Sequence, residues 1–395
     1  MLWQPSLPDK YTQMGDEQLV EAITARRGQL GDDLVILGHH YQQDEVIRFA
    51  DFTGDSFKLS QLAAEQVQRV GAKYVIFCGV HFMAESADLL TPDDVAVILP
   101  DLSAGCSMAD MADYDQTVDA WEQVKPLLEG SRIVPLCYMN SSAAIKAFCG
   151  EYGGAVCTSS NCQRVFEWAL AGGTEPKGDD ESIKILFLPD EHLGRNTAAA
   201  MGYDTIADMC VWDPHDSDGL GGCDEDQVKR STFILWKGHC SVHKLFRAEH
   251  VDQIRALWPD VNVIVHPECV HEVVQKADMA GSTEGIKSAI ESAQAGTRWA
   301  VGTEVHMVNR LAQEAAKRNV TVRILSECQC LCTTMYRIDM PHLLWTMDNL
   351  VLGKIVNQVV VHPQVQNWAI VALDRMLELI GASTPVQLQS TDSAL

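Results

Sequence analysis

Positive charge is scarce in this chain: 30 Lys and Arg stand against 54 Asp and Glu, a formal net charge of −24. A field of that sign repels phosphate backbones and anionic headgroups, which argues against nucleic acid or a membrane surface as a partner. An anionic substrate would need a local site, of the kind that helix N-termini or a metal supply. Long apolar runs are missing as well, and no stretch approaches the roughly 18 residues of a membrane span. The segment from Met1 to Met14 holds Trp, Pro, Asp and Lys but no basic start followed by an apolar run. It does not read as a signal peptide, and a cytoplasmic location is expected.

Cysteine, by contrast, is abundant, with 13 in 395 residues. In a reducing compartment these do not make a disulfide framework, so a fraction is expected to bind metal or take part in catalysis. Others, such as Cys78, Cys137 and Cys149 in apolar runs, read as small buried hydrophobes. The composition, 47% hydrophobic and 21% charged, is that of a globular protein long enough for two or three domains.

Apolar β-rich runs recur along the chain, each followed by turn chemistry and a helical pattern, which reads as βαβ units with parallel sheets. The first pass runs from Leu34-Val35-Ile36-Leu37 through His39-His40-Tyr41 and a polar loop ending at Ser56, and closes at Cys106. The second runs from Ile133-Val134-Pro135-Leu136 through Tyr138-Met139-Asn140 and Ser159 to Cys240, and the third from Val261 through His266-Pro267-Glu268 and Ser282-Thr283 to Cys332. Ser56 to Cys106 spans 50 residues, and so does Ser282 to Cys332. The middle pass is longer, its excess lying in the polar stretches Thr174 to Glu181 and Trp212 to Arg230, which read as surface insertions.

Ligands of open α/β sheets sit at the carboxyl ends of the strands, so three such units about a pseudo-threefold axis would face one central cavity. Cys106, Cys240 and Cys332 then converge. Three thiolates suit an iron–sulfur cubane with one iron left open, and three ligands plus water is also a catalytic zinc pattern; wide spacing favours neither. The run Cys328-Gln329-Cys330-Leu331-Cys332 leaves three sulfurs for the third position, of which the repeat length selects Cys332.

Ser56, Ser159 and Ser282-Thr283 precede helical patterns, where a hydroxyl either caps the helix or helps to cradle a phosphate or carboxylate. Within each triplet the outer members, His39 and Tyr41, Tyr138 and Asn140, His266 and Glu268, are two residues apart and would share a face of an extended strand. His, Tyr and Glu in such a place can move protons. His40 and His81 read as structural.

At these residues the chain resembles the quinolinate synthase family. The resemblance is carried by Gly38-His39-His40-Tyr41-Gln42, Ala50 to Ser56, Gly79-Val80-His81-Phe82-Met83-Ala84-Glu85, Ala104-Gly105-Cys106-Ser107 and Cys157-Thr158-Ser159. It continues with Trp236-Lys237-Gly238-His239-Cys240 with His243, His266-Pro267-Glu268-Cys269, Gly302-Thr303-Glu304, and Cys332 followed by Met335. It implies three Rossmann-like α/β units related by pseudo-threefold symmetry: 1–106, completed by 333–395; 107–239, with the acidic insertions; and 240–332. It implies one oxygen-sensitive [4Fe–4S] cluster on Cys106, Cys240 and Cys332, acting as a Lewis acid. The implied reaction condenses iminoaspartate with dihydroxyacetone phosphate to quinolinate, with loss of phosphate and two waters, in NAD biosynthesis. L-Aspartate oxidase or aspartate dehydrogenase would supply the imine. Tyr41, His266 and Glu268 would be catalytic, and His39, Ser56, Tyr138, Asn140, Ser159, Ser282 and Thr283 substrate-binding. Two other readings stand beside it, a three-cysteine hydro-lyase acting on another dicarboxylate and a cluster-bearing sensor. The first would not need a phosphate cradle, and the second would not need convergent His, Tyr and Glu.

Overall fold

The apolar runs of the sequence become strands of three all-parallel sheets. A computed structural model describes residues 4–327 and 330–381, which leaves Cys328 outside the described residues. The first sheet holds β1 (Leu34–His39), β2 (Phe52–Gly54), β3 (Tyr74–Cys78) and β4 (Ala96–Ile98) in the order β2-β1-β3-β4. The second holds β5 (Ser131–Tyr138), β6 (Ala155–Cys157), β7 (Ser182–Leu188), β8 (Met209–Trp212) and β9 (Phe233–Trp236) in the order β6-β5-β7-β9-β8. The third holds β10 (Asn262–Val265), β11 (Met279–Ala280), β12 (Arg298–Gly302) and β13 (Thr321–Ile324) in the order β11-β10-β12-β13. The expected α/β class with three parallel-sheet units is therefore observed.

The central strands are largely apolar because helices cover both faces. All six residues of β1 are buried, as are the last six of β7. The helix Ser56–Val70 shows the crossover chemistry: Asp55 caps its start by accepting from Lys58 N, Leu59, Ala63 and Val67 turn inward, and left-handed Gly71 ends it.

The structure adds one short strand per sheet that the sequence pattern does not mark. β2, β6 and β11 have three, three and two residues, too few to show a period. Their register has a consequence for the site. His39 pairs with Gly54, Tyr138 with Cys157, and Val265 with Ala280, which sets His266 level with Gly281. Two residues further on come Ser56, Ser159 and Thr283. In the third unit the equivalent of Ser56 is thus Thr283, not Ser282; seventeen residues separate Ser56 from His39 and Thr283 from His266.

The middle unit differs by a fifth strand. β9 occupies the place of the fourth strand in the other sheets, and β8 extends the edge beyond it. The stretch read as a surface insertion from Trp212 to Arg230 therefore begins in this strand, with Trp212 buried, and ends in a helix, Glu225–Arg230, that turns Val228 into the core. Four apolar residues between polar segments are too short a signal to mark a strand.

The last two helices part company. Met340–Val351 packs on Asp16–Leu30 of the first unit, where Asp348 accepts from Tyr11 Oη at 2.9 Å and Arg26 Nε at 2.6 Å. Pro363–Ile380 crosses to the second unit and packs on the helix Ala143–Glu151. A Cβ on Gly150 would lie 1.9 Å from the Trp368 carbonyl oxygen, so these two backbones meet only because that side chain is absent. Gly150→Val should lower the urea midpoint by the equivalent of about 1–3 kcal/mol or more, as overpacking does. Gly28→Ala, on the exposed face of Asp16–Leu30 with open space around it, should raise stability by about 0.5–1 kcal/mol. Equal midpoints for the two variants would contradict this account of the helix contact.

Candidate functional site

The carboxyl ends of the three sheets open on one cavity, lined by residues of all three units. Its wall contains twelve of the thirteen residues expected there: His39, Tyr41, Ser56, Cys106, Tyr138, Asn140, Ser159, Cys240, His266, Glu268, Thr283 and Cys332. Ser282 is not part of the wall. Its hydroxyl accepts from Gly285 N at 3.2 Å and caps Thr283–Glu291, while Thr283 takes the first helical position and faces inward.

The strands end at His39, Tyr138 and Val265, so Tyr41, Asn140 and Glu268 lie in turns and strand alternation does not aim them. In the first and third units the turn does so. Tyr41 N donates to His39 Nδ1 at 3.1 Å, and Glu268 N donates to His266 Nδ1 at 3.4 Å, one local device used twice. His40 lies outside the wall, paired with Glu284 at 2.9 Å, and His81 lies 3.8 Å from Glu85.

The three cysteines sit where the hydrophobic cores meet. Cys106 packs against the first and second cores, Cys240 against the second and third, and Cys332 against the third and first. Each thiol is thus held by two units at once. The loop to Cys240 runs tightly against the end of β7, where a Cβ on Gly238 would sit 2.1 Å from the Pro189 carbonyl oxygen. Burial pushes the Cys106 thiol up to about 12 and raises Cys240 and Cys332. Among the described residues, the one group of three or more ligand atoms within 4.8 Å of one another is Cys240, His243 and Glu268. The three thiols form no such group, so as placed they do not close on a single tetrahedral ion. All are free of disulfides, as a cluster requires.

Against this thiol face stands a buried acid–base group. Glu268 Oε2 pairs with His243 Nδ1 and lies 3.3 Å from His266 Nδ1, and the two imidazoles stack at 4.4 Å. Burial alone would raise the Glu268 carboxyl, but the imidazoles of His266 and His243 outweigh it and hold it below the usual carboxylate range. Glu268 is therefore the fixed anion of the site. Its charge adds to burial in pushing Tyr41 and Tyr138 well above an ordinary phenol, so both keep their protons. Burial, then the neighbouring His40 and Arg310, lowers His39 to about 3 and leaves it neutral.

Two members of this group were quoted in motifs without a role. His243 is completely buried, and its Nε2 meets Thr303 Oγ1 at 3.1 Å; Tyr41 Oη meets the same hydroxyl at 2.9 Å. A continuous path, Glu268–His243–Thr303–Tyr41, follows. The sequence signals are slight, a histidine three residues after Cys240 and a hydroxyl after β12.

The profile of the family described as "Quinolinate synthetase A protein" (NadA) matches residues 21–378. A protein of Acidobacterium capsulatum named quinolinate synthase is 54% identical over 374 residues, which cover 94% of this chain and 96% of that one. Proteins of the same name from a Nocardioides species and from Bacillus anthracis are 50% and 48% identical over 377 residues, covering 95% of this chain and 93% and 96% of theirs. No helix among the described residues is long and apolar enough to cross a membrane.

The different placement of the serines can be measured. Ser282→Ala removes a cap and should cost about 1 kcal/mol in urea unfolding, whereas Ser56→Ala removes no cap and should cost less. The reverse order would mean that the helix starts are assigned wrongly.

Proposed function

This chain belongs to the quinolinate synthetase A family, and from that premise we propose that it condenses iminoaspartate with dihydroxyacetone phosphate, releasing phosphate, two waters and quinolinate for NAD biosynthesis. The observation that carries the reading is the pairing of three thiols, each wedged between two units, with a buried carboxylate–imidazole group across the same cavity. The imine would come from an L-aspartate oxidase or aspartate dehydrogenase, and the work is cytoplasmic.

Cys106, Cys240 and Cys332 would hold a [4Fe–4S] cluster, with Cys330 buried behind them. When bound, the cluster supplies an iron without a protein ligand, a Lewis acid for a substrate carboxylate or hydroxyl. The rest falls to the chain's own groups. Ser159 and Thr283, with the backbone N–H groups of their turns, receive the phosphate; Ser282 holds the second turn in shape. The Glu268–His243–His266 group moves the protons: an imidazole takes the one released in C–C bond formation and, in each dehydration, passes the proton taken from carbon to the leaving hydroxyl, while the Glu268 carboxylate stabilises the imidazolium. Tyr41 and Tyr138, kept protonated, donate hydrogen bonds to substrate oxygens, and Tyr41 can be reprotonated through Thr303 and His243. Walls of Val80, Phe82, Met83, Met139 and Val242 limit water, which condensation chemistry requires.

Anaerobic purification should yield about four irons and four sulfides per chain, lost in Cys106→Ala, Cys240→Ala and Cys332→Ala alike. A cluster that survives Cys332→Ala would move the third ligand to another thiol. Glu268→Gln should keep the cluster spectrum and lose about 10²–10⁴-fold in quinolinate formation, read by mass spectrometry of the product. Full turnover in that variant would end the proton-transfer role.

A further inference from the structure

We propose that the metal-free chain carries a second, single-ion site on Cys240, His243 and Glu268, which takes a zinc-class divalent cation and thereby excludes the cluster. The donor atoms of the three residues lie within 4.8 Å of one another. One thiolate, one imidazole and one carboxylate make three protein ligands with a fourth position open, a set suited to zinc. His243 is wholly buried and Glu268 is 2% exposed, so the site is built into the interior rather than assembled on the surface.

A second observation points to a ligand. Glu268 Oε1 is buried without a hydrogen-bond partner, although its sister oxygen pairs with His243. A buried carboxylate oxygen left unpaired is costly and rare, and a cation beside it resolves the deficit. The outer partner is also present. Thr303 Oγ1, 3.1 Å from His243 Nε2, fixes the ring so that Nδ1 faces the carboxylate.

The two modes of binding share Cys240 and nothing else among their protein ligands. The single-ion mode needs His243 and Glu268 but neither Cys106 nor Cys332; the cluster mode needs all three thiols and neither of the others. They are mutually exclusive, and this half of the proposal rests on the cluster reading above. Divalent zinc binds such donors more tightly than iron(II), so the ion that reaches the empty chain first captures a cluster ligand and the acid–base pair together. Each binding event releases the thiol proton and forms one Zn–S bond, with no change of oxidation state.

The test uses the full chain stripped of metal, with zinc titrated against a chromophoric chelator and folding checked by circular dichroism. One zinc per chain is expected in the parent, in Cys106→Ala and in Cys332→Ala. Cys240→Ala and His243→Ala should bind at least about tenfold more weakly, and Thr303→Val, which keeps every ligand, should weaken binding about tenfold through the lost orientation. Zinc-loaded parent should take up no iron and sulfide until a chelator removes the zinc. Loss of zinc in Cys106→Ala and Cys332→Ala as complete as in Cys240→Ala would overturn the site in favour of a three-thiol one, and so would undiminished binding in Cys240→Ala. If zinc-free parent also fails to take up iron and sulfide, the cluster reading and the exclusion fall together, while the ion site stands or falls on the titration.

Discussion

Everything central to this molecule depends on three thiols being held at the seams between units. A cysteine packed against a single core would follow the motions of that core. Cys106, Cys240 and Cys332 each touch two, and each pair of neighbouring units shares one of them. The seams and the site are therefore the same structural element. Any slippage of one unit against another displaces two sulfurs, and a body bound to all three would resist slippage in every seam.

The electrostatics complement that geometry. The net charge of −24 makes the chain a poor host for anions, yet the cavity is lined by helix starts, neutral imidazole and protonated phenols. Of the two carboxyls in its wall, Glu268 is flanked by two imidazoles and Asp55 is taken up in capping a helix, so the surface charge and the charge met by a ligand differ in kind. Burial, then the Glu268 charge, moves Tyr41 and Tyr138 still further above the range where a phenol loses its proton, so the apolar wall and the donors beside it reinforce one another.

Much of this was legible in the sequence because three passes of one pattern repeat it. A single His-x-Tyr or a lone serine before a helix carries little information; the same order three times fixes where the strand ends face. What escaped has physical causes. β2, β6, β11 and β8 are two to four residues long and gain their regularity from a neighbouring strand rather than from their own pattern. The choice between Ser282 and Thr283 turned on a one-residue register that only the pairing of Val265 with Ala280 decides. His243 and Thr303 gain their importance from each other across 60 residues of chain, a relation that no local spacing encodes. Cys328, one of three candidate sulfurs in its run, lies outside the described residues, and its neighbour Cys332 is the one in the cavity wall.

The position of the three thiols along the chain also sets a schedule. At the roughly 5–20 residues per second of ribosomal synthesis, the 226 residues from Cys106 to Cys332 take on the order of 10–45 s to emerge. The first sheet can form early in that interval, but two of the three seams need the third unit, and the helix Met340–Val351 that packs on the first unit comes later still. The cavity is thus finished only after the third unit and the helix that follows it have emerged. Until then Cys106 and Cys240 stand on half-built walls, and the three thiols face one another only once Cys332 and the seams of the third unit are in place.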